Sequence, residues 1–497
     1  MFNGEPMSET PNIITRRQFI RQAACAAVGT TAIASTIFDL RLIKAAIAQG
    51  NFSDYKALVC VFLYGGNDSN NLLVPKAASD YAAYAAARQN LALASASLLP
   101  INPLDGRAFG LHPSCAGLQT LFESGKMGIL CNVGTLVGPL TRAQYTSGSA
   151  AVPPQLFSHN DQQVLWQTSI ADQQSRTGWG GRCADLLYDS NVGSQISMNI
   201  SLAGANTFEI GNYVSQYQVT TTGSVGLSNT NRIPQIKAIN QLPHTNLFEQ
   251  AYADITQRAL VNNELLSAAL AGVADPTGFP NTSIGNQLKM IAKLIAARNA
   301  LSMKRQIFFC SVGGYDTHNE QINTQATLLG DLSAALKAFY DYTVILGVQD
   351  GVTAFTASDF SRTLPSNGIG SDHAWGSHQL IVGGAVQGKK LYGTFPTLAV
   401  NGPDDTSTGR WIALRRLARL SGKQSGSWRS RHEAIAPSIR SDDHDASVRC
   451  ASRDHSAALA AHGAAAFAPS RDHASCGRNL RQARGLLEAT TCRAQGD

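Results

Sequence analysis

The chain has 497 residues, of which 44% are hydrophobic and 15% charged, a globular composition that excludes a disordered or fibrous protein. Its formal charge of +6 sits in residues 413–497, which hold 13 Arg, one Lys and eight acids, while the remainder carries 26 basic and 26 acidic residues and is neutral. The body of the chain therefore has no charge basis for binding nucleic acid, and no nucleic-acid partner is expected.

In chain order, Thr15, Arg16, Arg17, Gln18, Phe19 and Ile20 form a twin-arginine export motif. The apolar run 23–38 follows, too short to span a bilayer comfortably, and then Ala46, Ile47 and Ala48 as a small-residue cleavage site. Residues 1–48 are accordingly expected to be a removable signal. The twin-arginine export machinery is the implied partner, the periplasm or exterior the implied location, and no membrane span is expected to remain.

Residues 57–63 (ALVCVFL) read as a strand buried on both faces, ending at Tyr64, Gly65, Gly66, Asn67 and Asp68. Helices are expected at 79–93 and 113–124, with a second buried strand at 127–133. This βαβ rhythm predicts a parallel sheet with helices on both faces. A helix follows at about 160–168, and Trp179 to Arg182 open another. The stretch to about residue 245 is rich in Ser, Thr, Asn, Gln and Gly, as in a cap of short strands and loops over the sheet edge or in inert surface. Amphipathic helices at 247–270 and 284–301 lead into a strand (307–312), a helix (324–345) and a strand (352–357).

The segment 307–384 gathers acids and imidazoles at the ends of these apolar runs. Asp316 and His318 follow one strand, Asp359 follows another, and Asp372, His373 and His378 precede a third at 379–382. Carboxylate oxygens and neutral imidazoles together form a metal-ligand vocabulary, and an α/β sheet collects such residues at its carboxyl edge. Taken alone, Asp316 reads equally as a turn or helix cap, and Asp359 as the ion-pair partner of Arg362.

Four segments carry a family resemblance: the run from Gly65 to Asn71, the run from Thr177 to Arg182, the GGYDTHNEQ segment, and the segment from Asp372 to Gly393. Together they resemble the exported bacterial family known as domain of unknown function 1501, over nearly everything up to residue 412. That family is similar to the alkaline phosphatase and sulfatase superfamily. The resemblance implies a three-layer α/β/α fold with a mostly parallel central sheet, alkaline-phosphatase-like, spanning residues 49–412 with a cap or irregular insertion at about 183–245. It also implies one or two divalent metal ions, with Zn, Mn, Mg, Ca and Fe not distinguished.

By the superfamily's pattern, Asp68 after the first strand is a candidate ligand, though an Asn/Asp turn would have the same composition. His378 matches the last His ligand. Phe360 stands where the pattern has a His beside Asp359, so either His373 substitutes from the next loop or one metal position is missing. The nucleophile is sought at the start of a helix, where Ser158 precedes the 160–168 segment; the same pattern reads as a plain N-cap. Thr141 with Arg142 is a rival. Asn70, His159 and Arg362 are the candidate substrate-binding residues. The Cys-x-Pro-x-Arg sulfatase signature is absent from this part of the chain, and no cysteine spacing suggests a disulfide framework.

The end of the chain, 413–497, has a different composition, rich in Arg, Ala, Ser, His and Cys and without Tyr, as a shifted reading frame in GC-rich DNA would produce. Two functional classes follow. One is an exported metal-dependent hydrolase of phosphate or sulfate esters; the other is a non-catalytic exported binding or assembly protein that retains the fold.

Overall fold

The computed structural model describes residues 54–227 and 229–414. The expected signal at 1–48 and, from residue 415 on, the atypical tail lie outside the described residues. The elements, in chain order, are β1 (Lys56–Leu63), α1 (Ser69–Leu72), β2 (Leu73–Pro75), α2 (Ala78–Arg88), β3 (Leu99–Ile101) and β4 (Phe109–Leu111). Next come α3 (Ala116–Glu123), β5 (Met127–Val133), α4 (His159–Thr168), α5 (Trp179–Leu187), β6 (Asn199–Ser201), β7 (Tyr217–Thr220) and β8 (Gly223–Ser224). The last are α6 (Leu247–Ala271), α7 (Ser283–Ala296), β9 (Arg305–Val312), α8 (Gln321–Ile345), β10 (Val352–Ser358), β11 (Ser377–Gly383) and β12 (Leu391–Tyr392).

β1 is apolar on both faces because both faces are covered. It lies inside a nine-stranded sheet of order β12-β5-β11-β10-β1-β9-β6-β7-β8, hydrogen-bonded in parallel to β9 and β10 with no slip in register. Strand alternation divides its side chains between two cores. Val59, Val61 and Leu63 face α3, α7 and α8 through Leu118, Ile291 and Leu336. Cys60 and Phe62 face the opposite layer, with Trp166 of α4, Trp179 of α5 and Phe208. The result is the expected three-layer α/β/α architecture around a mostly parallel sheet.

Two features differ from the sequence expectation. β11 runs antiparallel to both β10 and β5, so the long loop 359–376 leaves the carboxyl end of β10 and returns to the amino end of β11 at the same edge of the sheet. An apolar run reports burial and carries no sign of strand direction. In addition, part of the polar stretch at 183–245 joins the main sheet: β6 pairs in parallel with β9, and β7 and β8 extend the edge. Short edge strands bury few side chains and leave little hydrophobic pattern to read.

The helix expected at 79–93 stops at Arg88 and continues as a single 3₁₀ turn, Gln89–Leu91. That turn leaves Arg88 fully buried against the loop after β1. No described helix is long and apolar enough to cross a membrane.

Candidate metal centre

The loops after β1, β9 and β10 open at one edge of the sheet, where parallel strands deliver side chains from distant parts of the sequence. Gly65, two residues beyond β1, has φ +114°, and a Cβ there would sit 2.4 Å from the backbone nitrogen of Asp316. Only glycine lets the β1 and β9 loops approach so closely. Its N–H donates to Asp359 Oδ2 at 3.2 Å, which ties the β1 loop to the end of β10. The loop between β10 and β11 then returns His373 to the same place, and α4 brings His159 from the covering layer.

Each imidazole has a hydrogen-bond acceptor at Nδ1. His373 Nδ1 donates to the carbonyl oxygen of Phe157 at 2.7 Å. His159 Nδ1 donates to Asp359 Oδ2 at 2.6 Å, and His318 Nδ1 to Asp372 Oδ1 at 3.3 Å. His159 and His373, when neutral, therefore carry the proton on Nδ1 and present a lone pair at Nε2, whereas His318, with Asp316 Oδ1 3.2 Å from its Nε2, has a carboxylate acceptor beside each ring nitrogen. The Nε2 atoms converge: those of His159 and His373 are 3.1 Å apart, and those of His318 and His373 are 2.9 Å apart. Asp316 adds carboxylate oxygens at 3.4 Å from His159, 3.3 Å from His373 and 3.2 Å from His318.

Such a gathering of ring nitrogens and carboxylate oxygens calls for a positive charge among them, either a metal ion or a proton on one of the rings. Four ligands at about 2.0–2.1 Å from a tetrahedral ion stand about 3.3 Å from one another, close to the separations found. His159, Asp316 and His373 form the mutually close set, all within 4.8 Å, and His318 adjoins it through His373 and Asp316.

The surroundings support this donor set. Asp359 is fully buried; its Oδ2 accepts from His159, Gly65 and Gln163, the last at 2.9 Å, while its Oδ1 has no hydrogen-bond partner. A buried carboxylate oxygen of this kind calls for a cation or a water. The hydrogen bond to Asp359 pushes the His159 imidazole above its ordinary range against the effect of burial. Burial pushes His373 down, toward the neutral form. At Asp316 burial acts upward, but the hydrogen bond and charge of Arg362 outweigh it and hold the carboxyl below the usual carboxylate range. Arg362, fully buried, reaches Asp316 at 2.7 Å and also bonds Ser371 O. It is Asp316, not Asp359, that pairs with this arginine.

The structure thus brings together His159, Asp316, His318, Asp359, Arg362, Asp372 and His373, and leaves other expected residues outside. Asp68 caps α1 through the N–H of Asn70 and pairs with buried Arg88 and with Gln321, so its oxygens are committed to protein donors. Asn70 donates to Arg362 O and accepts from Trp411 Nε1, a bracing role. His378 accepts the N–H of Asn132 at Nδ1, 3.1 Å away, and stacks on Phe395. Its proton is therefore on Nε2, and neither ring nitrogen offers a free lone pair. Ser158 stands at the start of α4 with its hydroxyl donating to Asp161 at 2.6 Å. Thr141 closes a capping box with Gln144.

Phe360 is buried with its ring 4.8 Å from that of His159 and 4.7 Å from that of His373, so a hydrophobic wall stands beside the acceptors. Gln163 and the Phe157 carbonyl went unrecognised in the sequence. Gln163 lies four residues after His159 on one helical face, a usable signal; a backbone carbonyl leaves none.

The fold and this cluster define a three-layer α/β protein with a His/Asp site of metal-binding geometry at the carboxyl edge of its sheet. The model of the family described as "Protein of unknown function (DUF1501)" matches residues 55–408, and the chain belongs to that family. No curated protein matches it. Solved structures to which it is similar include the C-terminal periplasmic domain of EcEptC from Escherichia coli in complex with Zn, at 9% identity and a TM-score of 0.32, covering 67% of this chain and 74% of that one. A protein in the alkaline phosphatase superfamily from Vibrio parahaemolyticus matches at 13% identity and a TM-score of 0.30, over 71% of this chain and 70% of that one. A mutant of alkaline phosphatase PafA matches at 11% identity and a TM-score of 0.25, over 63% and 64%. Likeness at this level carries no inference about the site or its chemistry.

Proposed function

We propose that the protein binds one divalent metal ion through His159, Asp316 and His373 and hydrolyses a phosphate or sulfate ester there. The observation that carries this reading is the convergence of Nε2 lone pairs and carboxylate oxygens at 3.1–3.4 Å, with each imidazole held by an acceptor at Nδ1. When bound, a divalent ion supplies Lewis acidity toward an ester oxygen and makes a water more acidic. Asp359, with Gln163, orients His159, and the Phe157 carbonyl orients His373, as second-layer partners do in metal sites. Arg362 fixes the Asp316 carboxylate.

His318 is the candidate general base. Its side chain is 45% exposed, its Nδ1–H faces Asp372, and its Nε2 faces the cluster, so it can take a proton there while Asp372 steadies the charge that forms. Because the Ser158 hydroxyl is engaged by Asp161, water is the preferred attacking group and Ser158 the alternative. The twin-arginine motif at Thr15 to Ile20 supports export to the periplasm or beyond.

A second reading, a non-catalytic exported binding or assembly protein, is favoured by Phe360, which fills the position where the superfamily pattern has a ligand. Hydrolysis of aryl phosphate and aryl sulfate esters by the zinc-loaded chain separates the two. The hydrolase reading expects turnover abolished in His159→Ala and His373→Ala and lowered in His318→Gln. A folded, zinc-loaded chain that turns over neither ester class overturns it.

A further inference from the structure

The acceptor cluster is lined by three carboxylates, Asp316, Asp359 and Asp372, and its one buried guanidinium, Arg362, is committed to Asp316. An anionic ester approaching this place needs a second cation that is close, held still and not already paired. Arg410 meets those conditions, beyond residue 408, where the family match ends. Its backbone is pinned by a buried acid: Asp405 Oδ1 accepts the N–H of Arg410 at 2.7 Å, and Asp405 Oδ2 accepts the N–H of Gly409 at 2.8 Å.

The side chain is fixed as well. Arg410 Nε donates to the carbonyl oxygen of His373 at 2.7 Å, and the guanidinium lies 4.8 Å over the ring of Phe157, whose own carbonyl holds the His373 imidazole. Nη1 touches Thr408 Oγ1 at 3.1 Å, and Nη2 makes no hydrogen bond to any described residue. The long stem has thus lost its freedom already, while Nη2 stays open to donate to an oxyanion oxygen.

Resting on the metal reading above, we infer that Arg410 is the anion-binding residue of this site and that the substrate is a monoester of a tetrahedral oxyanion. Arg410 donates from Nη2 to a non-bridging oxygen and orients the ester against the His159, Asp316 and His373 cluster. Its contact with His373 O also offers a purely positioning role, so the test must read anion binding separately from metal binding.

Inorganic phosphate, and in a second series sulfate, is titrated calorimetrically into zinc-loaded wild type, Arg410→Lys and Arg410→Gln, with zinc per chain measured on each sample. The expected result is equal zinc in all three, phosphate or sulfate binding to wild type weakened about tenfold or more in Arg410→Gln, and partial recovery in Arg410→Lys. Binding of phosphate alone assigns phosphate monoesters, of sulfate alone sulfate monoesters. Equal anion affinity in wild type and Arg410→Gln at equal zinc overturns the role of Arg410 and leaves the metal reading standing. So does a zinc-loaded wild type that binds neither anion. A folded wild type that takes up no zinc overturns the metal reading, and this inference with it.

Discussion

Asp359→Asn is the most informative single change, because Asp359 is placed to act on the metal only through its neighbours. It is fully buried, and its Oδ2 accepts the Nδ1–H of His159 at 2.6 Å together with bonds from Gly65 and Gln163. An amide keeps the shape but removes the charge. It either accepts more weakly from His159 or turns its NH₂ toward that ring, which then moves its proton to Nε2 and loses the lone pair facing Asp316. A charge-assisted bond of this kind contributes about 1.5–3 kcal/mol, or roughly ten- to a hundredfold in metal affinity. Competition with a chromophoric chelator measures zinc affinity directly, and circular dichroism shows whether the variant has folded. A folded Asp359→Asn with wild-type zinc affinity would refute the assignment of Asp359 as the residue that orients His159.

Four further outcomes follow from the same geometry. Asp68→Asn leaves Arg88 buried without its partner and should cost about 3–5 kcal/mol in urea denaturation, yet leave zinc per folded chain unchanged; loss of zinc would return Asp68 to the ligand set. Gly65→Ala forces a Cβ against the Asp316 backbone at positive φ and should destabilise by about 2–5 kcal/mol, weakening zinc binding as the β9 loop is displaced; a neutral effect would contradict the close approach. Burial pushes His378 down to about 3, so the unfolded chain takes up its proton first as pH falls. Stability from this group is fully present above about pH 6.5 and drops by about 2 kcal/mol between pH 7 and pH 5, a drop that His378→Gln should remove. Glu209 works in the opposite sense: burial pushes its carboxyl up to about 8, so stability is full below about pH 4.5 and declines as pH rises toward 8. Glu209→Gln should gain about 2–3 kcal/mol on wild type between pH 5 and pH 7 in matched denaturation curves, and parallel curves would refute the buried-acid account.

What the sequence made legible was the scaffold that presents the site. The continuous apolar runs of β1, β9 and β10 mark strands covered on both faces, and Asp316, His318, Asp359, Asp372 and His373 follow from their position at strand ends. The partners those side chains choose were not legible. Asp68 looks like a ligand until α2 ends at Arg88 and turns that guanidinium onto it, and His378 looks like one until the N–H of Asn132 claims its Nδ1. The reverse holds for His159. In sequence it reads as a substrate contact beside Ser158, and only the packing of α4 on the sheet shows Asp359 holding its ring from a position 200 residues away. Strand direction was similarly hidden, since β11 is as apolar running antiparallel as it would be running parallel.

Metal per chain, measured by elemental analysis after dialysis against zinc, tests the central claim most directly when wild type is set beside His159→Ala/His373→Ala and His378→Ala. About one equivalent is expected for wild type and His378→Ala and none for the double variant. A folded wild type without metal, or zinc kept by the double variant and lost from His378→Ala, would contradict that claim.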